Sequence, residues 1–326
     1  MERVGLLNTV GMLALRLLCP ASSTAAALDV LTGHPGATHV VLLRGAAVQP
    51  AGDVVLADLA REAASEIVDA LRSLPEGSIC SYALENVDTS LSSYADEAER
   101  AAPGLGVDAI VWEEVQARTD EDATLSGSFV ALLVLATLLA AIGLLLDSPV
   151  LIVGAMVIGP DFGPLAGLTV ALVQRRWTLA RQSFGALLLA FPVASLAALV
   201  LTALVRLIAG LPPAYAGEQR PLTSFVSRPD GYALLVALLA GVAGVVSLTS
   251  GKSAALVGVA VSVTTVPAAA DIGVSAAAGR WGECAGAGAQ LAINVVALIF
   301  AGAATLGARR ALSGASNRRR VGRMSR

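Results

Sequence analysis

The sequence predicts an α-helical transmembrane bundle of six helices, preceded by a soluble α+β domain of the ferredoxin-like βαββαβ plan. Three observations carry this. Of the 326 residues, 56% are hydrophobic and 14% charged, with a mean hydropathy of +0.73, beyond the range of an ordinary soluble domain. The charge is polarised: Met1 to Leu125 carries 19 acidic and 7 basic residues, whereas Ser126 to Arg326 carries 6 and 15. Six apolar segments, each near the roughly 20 residues that a hydrocarbon core about 30 Å thick requires, all fall in the second part.

The front domain reads in order. Val4 to Leu18 is an apolar run interrupted by Arg16 and closed by Cys19-Pro20, a buried strand rather than a signal peptide. Ala21 to Leu31 has the Ala/Leu pattern of a helix, with Ser22, Ser23 or Thr24 as its cap and Gly33, Pro35 and Gly36 as its stop. Thr38 to Leu43 and Asp53 to Leu56 read as strands joined through a Gln49-Pro50-Ala51-Gly52 turn. From Asp58 to Leu74, the apolar residues Leu59, Ala63, Ile67, Ala70, Leu71 and Leu74 recur at three and four, the spacing of an amphipathic helix. Ile79 to Val87 supplies the fourth strand, so that two helices cover one sheet face. The domain limits are 1–88 for this cytosolic domain, 89–125 for a linker and juxtamembrane helix, 126–307 for the membrane part and 308–326 for a basic cytoplasmic tail.

Little in the front domain suggests chemistry. His34 falls in a Gly/Pro turn and His39 inside a strand, without ligand spacing to any Cys or carboxylate, so both read as ordinary histidines and no metal is expected. Cys19, Cys80 and Cys284 lie far apart and suggest neither zinc nor a disulfide framework. The linker reads as a loop with a short helix from Asp88 to Gly106, then a helix from Val107 to Asp122. Trp112 reads as an interfacial or packing residue, and Glu113, Glu114, Asp120, Glu121 and Asp122 as a solvated acidic collar.

The six spans are Ser126 to Leu146, Val150 to Val173, Ser183 to Ala209, Tyr232 to Thr249, Ser253 to Ile272 and Gly286 to Gly307. Positive residues in short loops resist translocation. An inside N-terminus puts Arg175, Arg176, Arg181, Lys252 and the seven arginines from Arg309 to Arg326 on one side, so both ends are expected in the cytoplasm and the chain in the plasma membrane. The lipid bilayer is therefore the first expected partner. Nucleic acid is not expected, because the basic residues sit beside apolar spans where headgroups are the nearer anion.

Shifting the chain by about 104 positions brings Gly154 onto Gly258 and Arg176-Trp177 onto Arg280-Trp281. With three helices per half, the second copy enters the membrane upside down, the inverted-repeat arrangement of many secondary transporters. The second span contains Gly159-Pro160-Asp161-Phe162-Gly163-Pro164, where two prolines remove two amide donors and a break is expected. The fifth span carries Ser262, Thr264, Thr265 and Pro267 at about the same depth and is expected to break too. Asp161 would sit near mid-membrane, where an ionised carboxylate costs at least about 2.5 kcal/mol. It reads either as a cation or proton site or as a protonated cap of the second half-helix. Asp271 and Arg206 read as interfacial, and Asn294 as an interhelical hydrogen-bonding residue.

At these residues the chain resembles domain-of-unknown-function family 389, a prokaryotic multi-pass membrane family. The resemblance rests on Asp147-Ser148-Pro149, the run Gly154 to Pro160, Gly163-Pro164 and the Arg175-Arg176 turn, and covers about Ser126 to Gly307. The front domain is similar to one that many members carry. Two departures stand out: members commonly have an apolar residue at the position of Asp161, and a Pro-Pro pair where this chain has Pro267-Ala268. The resemblance implies an architecture and no settled activity.

The leading functional expectation is a transporter or channel for an ion or small solute, using broken helices two and five. Its candidate site comprises Gly159, Pro160, Asp161, Gly163, Pro164, Thr264, Thr265 and Pro267, with Asp271 and Asn294 as secondary candidates. The alternative is a membrane-anchored sensor or scaffold, whose Gly- and Ala-rich helices suit packing against a second copy of the chain. No enzyme and no cofactor are expected. Gly251-Lys252-Ser253 lacks the upstream glycine of a phosphate loop, and a protease would need Asp161 and Asp271 to share a proton.

Overall fold

The computed structural model describes residues 12–75, 77, 79–87, 90, 92–102, 111–216, 222–223, 226, 231–249 and 255–324, with 255–264 and 312–324 described by backbone alone. The chain is mostly helical with one small antiparallel sheet. It divides into two units, Met1–Gln116 with Thr249–Gly251, and Ala117–Leu248 with Lys252–Arg326.

The first unit runs β1 (Met12–Cys19), α1 (Thr24–Gly33), β2 (Ala37–Val48), β3 (Ala51–Ala60), α2 (Arg61–Arg72), β4 (Ser81–Asn86) and α3 (Ser93–Ala101), with strand order β2-β3-β1-β4 and every neighbour antiparallel. Leu13, Leu15 and Leu17 of β1 register with Leu59, Ala57 and Val55 of β3, and all six are buried. A strand turns alternate side chains to one face, so this pairing presents a continuous apolar surface. Ala27 and Leu31 of α1 and Ala63, Ile67 and Leu71 of α2 pack into it. The opposite face leaves Val41, Leu43 and Leu56 exposed.

Two expectations for this unit are corrected. The helix expected from Asp58 begins at Arg61, because Asp53, Val55, Ala57 and Leu59 continue the strand alternation up to Ala60. Glu113 and Glu114 are not part of a solvated collar. Both belong to the first turn of α4 (Trp112–Asp122) and are held by side chains of α2. The Arg61 guanidinium donates to Glu114 Oε2 and, at 2.8 Å, to Asn86 Oδ1; Ser65 Oγ donates to Glu113 Oε2 at 2.8 Å. His39 ties the sheet to the α3 cap, with Nδ1 2.7 Å from Asp58 Oδ2 and Nε2 2.9 Å from Ser92 Oγ.

The second unit contains α5 (Gly127–Leu145), α6 (Pro149–Ile158), α7 (Phe162–Gln174), α8 (Trp177–Ile208), α9 (Pro213–Ala216), α10 (Gly231–Thr249), α11 (Ala255–Ala278) and α12 (Trp281–Met324). Among the described residues α5, α8, α10 and α12 are long and apolar enough to cross a membrane, and α6 with α7 adds a fifth crossing if the bent pair is one span. The expected break in the second apolar segment is present: the axes of α6 and α7 differ by 59°. The break expected in the fifth segment is not, since α11 continues through Pro267. Pro192 likewise lies inside the continuous α8. One proline costs a single hydrogen bond, which a packed helix absorbs, whereas the paired Gly-Pro steps at residues 159–164 do not leave enough ladder to continue.

Several features of this unit stand 104 residues apart. Helices α5 and α10 are each 19 residues long and begin at Gly127 and Gly231. Helices α7 and α11 end in the same turn: Arg175 has φ 57° and Gly279 φ 78°, Arg176 N–H donates to Ala171 O at 2.9 Å, and Arg280 N–H donates to Ser275 O at 2.8 Å. Each turn then starts a long helix on a tryptophan, Trp177 or Trp281. Further along those helices, Arg206 donates to Ala277 O at 2.8 Å and Arg310 to Val173 O at 3.4 Å.

Candidate functional site

The break is built by its own sequence. Gly159 closes α6 in an extended conformation, with its N–H donating to Ala155 O at 3.2 Å. Pro160 has no amide to satisfy, and Asp161 opens α7, its carbonyl accepting from Leu165 N–H at 3.4 Å. Pro164 falls in the first turn of α7, where a missing donor costs nothing because those amides have no intrahelical partner. Gly163 is needed for space: a Cβ there would come within 2.6 Å of Asp122 Cβ and 2.7 Å of Asp122 O. The helix thus restarts tight against the end of α4.

Asp161 is fully buried, at 0% exposure, and its Oδ2 accepts a hydrogen bond from Thr265 Oγ1 of α11. The two residues are 104 positions apart, the offset at which the sequence was matched against itself. Thr265 is itself fully buried, flanked on α11 by buried Val266, Ala268, Ala269 and Ala270. The structure therefore brings Gly159, Pro160, Asp161, Gly163, Pro164 and Thr265 to one place. Pro267 stands two residues further along α11, and the side chain of Thr264 lies outside the described residues.

Asp271 does not turn outward to snorkel. It is fully buried, and Ser275 Oγ, one turn on, donates to its Oδ1 at 2.9 Å. It becomes internal because α11 runs past the apolar window to Ala278, carrying Asp271 well inside a 24-residue helix. Asn294 is buried on α12 and accepts from Gln290 Nε2 of the same helix at 3.2 Å. Arg206 is exposed near the end of α8 and donates to Ala277 O of α11.

Sequence reasoning missed Tyr215. This residue of the short α9 is fully buried, with its hydroxyl 3.4 Å from Ser275 Oγ. Its carbonyl accepts from the Arg280 guanidinium at 2.7 Å, and Arg280 Cζ lies 4.6 Å from the centre of its ring. The signal available was an aromatic residue next to two prolines in a loop otherwise poor in large side chains.

Asp122, the last residue of α4, is partly buried, and burial pushes its carboxyl above the ordinary range. Glu121 adds to the shift and Arg118 opposes it.

The residues that match known proteins include those of the break. Over 233 residues, 72% of this chain and 69% of the relative, the sequence is 25% identical to Uncharacterized protein MJ0678 of Methanocaldococcus jannaschii. No solved structure matches the chain. Residues 156–300 match the model of the family described as Domain of unknown function (DUF389), so the resemblance read from the Gly-Pro-x-x-Gly-Pro stretch holds over the residues that build the break and its partner helix.

Proposed function

We propose that the chain is a multi-pass membrane transporter or channel for an ion or small solute, built as two inverted halves of three spans about the break at Asp161. Four helices and the bent α6/α7 pair meet the length and hydropathy of a span, and α11, at 24 residues, is about 36 Å long. Six crossings put both termini on one side, and the arginine-rich loop and tail favour the cytoplasm. Three helices per half is an odd number, so equivalent helices run in opposite directions, and the paired contacts at an offset of 104 are what such a repeat produces. The strand order β2-β3-β1-β4, antiparallel throughout with α1 and α2 on one face, is that of a ferredoxin-like domain.

One observation carries the reading. A carboxylate with no exposure sits in a helix break, and its bonding partner is its own repeat mate on the other half. Irregular backbone inside a bilayer is tolerated where protein or a cavity shelters it, and intramembrane acids mark ion and substrate pathways. The test is flux from liposomes holding the full chain, over a panel of monovalent ions, protons and small metabolites. Selective flux that is lost in Asp161→Asn supports the proposal, and no flux of any species sinks it.

A membrane-anchored sensor or scaffold is favoured by one different feature, the exposed Val41, Leu43 and Leu56 on the uncovered sheet face. Protein that bound a partner through this face and moved nothing would establish that reading instead. A proteolytic role has no support in the geometry. The carboxyls of Asp161 and Asp271 are held by hydroxyls ten residues apart on α11, about 15 Å along its axis.

A further inference from the structure

We infer that the first unit carries a chemical function of its own: Ser92, His39 and Asp58 form a serine esterase site for esters of apolar acyl groups. This goes beyond the transport reading, does not depend on it, and departs from the expectation that the chain holds no enzyme. The first ground is the order of contacts. Asp58 Oδ2 lies 2.7 Å from His39 Nδ1, and His39 Nε2 lies 2.9 Å from Ser92 Oγ. A carboxylate oxygen only accepts, so Nδ1 carries the ring hydrogen; in the neutral ring Nε2 is then the acceptor, and Ser92 donates to it. The hydroxyl thus aims its proton at a base whose other nitrogen is held by an acid, the arrangement that activates a serine on unrelated folds. A substrate can reach it, since the side chains of His39 and Asp58 are 38% and 31% exposed and Ser92 is partly exposed.

The second ground is how the backbone places these groups. Thr38 pairs with Asp58 and Val41 with Leu56, so His39 and Val40 stand against Ala57 alone, a bulge in β2. His39 has φ 49°, a conformation uncommon for a residue with a side chain. Bulges re-aim side chains beside active sites. Capping α3 requires none of this, because Ser92 Oγ caps by accepting from Ala95 N–H at 3.4 Å, without imidazole or carboxylate. Ser92 directly precedes α3, so the next two amides, of Ser93 and Tyr94, are first-turn N–H groups with no intrahelical acceptor. Such donors stabilise negative charge developing on a carbonyl oxygen.

The third ground is what adjoins the site. Leu56 stands two residues before Asp58 on β3 and shares its sheet face; Val41 is paired with Leu56, and Leu43 is two residues further along β2. All three are exposed and form an apolar strip on which an acyl chain can lie. Tyr94, 67% exposed, meets the His39 ring edge-on with centroids 6.3 Å apart. In the reaction Ser92 Oγ bonds to the ester carbonyl carbon while its proton passes to His39 Nε2, and the carbonyl oxygen takes the negative charge. Collapse breaks the bond to the alkoxide, which leaves with the proton from His39. Water then attacks the acyl-serine, passing its proton to His39, and the carboxylic acid departs as Ser92 regains a proton.

The experiment uses the full chain in detergent. It is treated with a fluorophosphonate probe and digested for peptide mass spectrometry, and it is assayed with p-nitrophenyl acetate and p-nitrophenyl decanoate. The expected result is an adduct on Ser92 and a kcat/KM about 10-fold or more higher for the decanoate. Hydrolysis should fall about 100-fold or more in Ser92→Ala and in His39→Asn, whose side chain tolerates the left-handed backbone but is no base. Asp58 positions His39 without touching the substrate, so Asp58→Asn should lower kcat and leave KM, with part regained in Asp58→Glu. Labelling of the wild type reads the site even if a variant fails to fold. No adduct on Ser92 of the wild type, or hydrolysis unchanged in Ser92→Ala, overturns the inference. Equal kcat/KM for the two esters overturns the acyl class. Flux from liposomes without an adduct leaves the transport proposal standing and sinks this one.

Discussion

Gly273 is the position where a single methyl group does the most damage. A Cβ there would lie 2.3 Å from Ser195 O, 2.7 Å from Leu199 N and 2.8 Å from Ala198 Cβ, two of them backbone atoms of α8. Carbon to oxygen contacts settle at about 3.3 Å or more, so α8 and α11 must separate by about 1 Å. The same movement stretches the bond from Ser195 Oγ to Ala269 O, now 2.8 Å, beyond useful length. Overpacking costs about 1–3 kcal/mol and the lost hydrogen bond about 1 more, so Gly273→Ala is expected to destabilise the bundle by about 2–4 kcal/mol. The contact at the matching offset, Gly302 against Thr169, supplies the comparison. A Cβ at Gly302 would meet Thr169 Cγ2 at 2.9 Å and Val245 Cγ2 at 3.2 Å, side-chain atoms that yield, and about 1 kcal/mol is expected. Gly288 has nothing within 4 Å, and alanine there should be neutral or stabilising by up to about 1 kcal/mol. The assay is denaturation of the three variants in detergent, followed by loss of the monodisperse species with increasing SDS. Equal midpoints for Gly273→Ala and Gly288→Ala would refute the close approach of α8 and α11.

Further outcomes are expected in the first unit and at the end of α4. Arg61→Met removes a buried cation from Glu114 and Asn86, so a loss of about 3–5 kcal/mol is expected in urea unfolding, largely recovered in Arg61→Met with Glu114→Gln. Asp53 is held below the usual carboxylate range by the Gly45 amide and then the Thr24 hydroxyl. Its contribution is therefore complete above the unfolded value of about 3.9 and lost as pH falls through the lower folded value, so acid unfolding monitored by far-ultraviolet dichroism should be less steep in Asp53→Asn. Asp122 is shifted the other way. Its ionisation opposes folding as pH rises from the ordinary carboxylate range through the raised value, and Asp122→Asn should raise the midpoint at pH 7 and leave it unchanged at pH 3. Ser92→Ala deletes the α3 cap together with the hydroxyl that meets His39 and should cost about 1 kcal/mol, read in the same urea titration.

What the sequence reveals here follows from how local each determinant is. Leu13, Leu15, Leu17 and Val55, Ala57, Leu59 alternate strictly, so the central strand pair is readable. Its end is not, because Leu59 and Ala63 also satisfy helical spacing and only pairing with β1 decides between the two periods. The break at residues 159–164 is readable because proline and glycine act on their own backbone. Continuity at Pro267 is not, since it depends on how tightly the neighbouring helices hold Val266 and Ala268 to Ala270. Asp271 looks interfacial while α11 is measured by hydropathy alone. The Gly279-Arg280 turn, which matches Arg175-Arg176, marks the true end and was the better signal. Thr265 as partner of Asp161 was available from the repeat by adding the offset, whereas Tyr215 against Arg280 joins a loop to a helix end and has no local signature.

The proposed half-turn between the halves has a consequence for Asp161. Exchanging the two copies sends each residue of the first half forward by 104 and each of the second half back by the same number. The contact of Arg206 with Ala277 then becomes that of Arg310 with Val173, and Thr169 against Gly302 becomes Gly273 against Ala198. Every such contact has a distinct twin. The pair Asp161 and Thr265 is carried onto itself, so its bond lies on the axis and can occur only once. A symmetric site would need the same residue at both positions, and two carboxylates at hydrogen-bond distance could not both ionise. One acid and one hydroxyl remove that conflict and concentrate the asymmetry of the bundle at its centre, with the broken helix on the acid's side and the continuous one on the hydroxyl's. Thr265→Asp should therefore create a pair of carboxyls that shares one proton, seen as a carboxylic C=O infrared band at neutral pH.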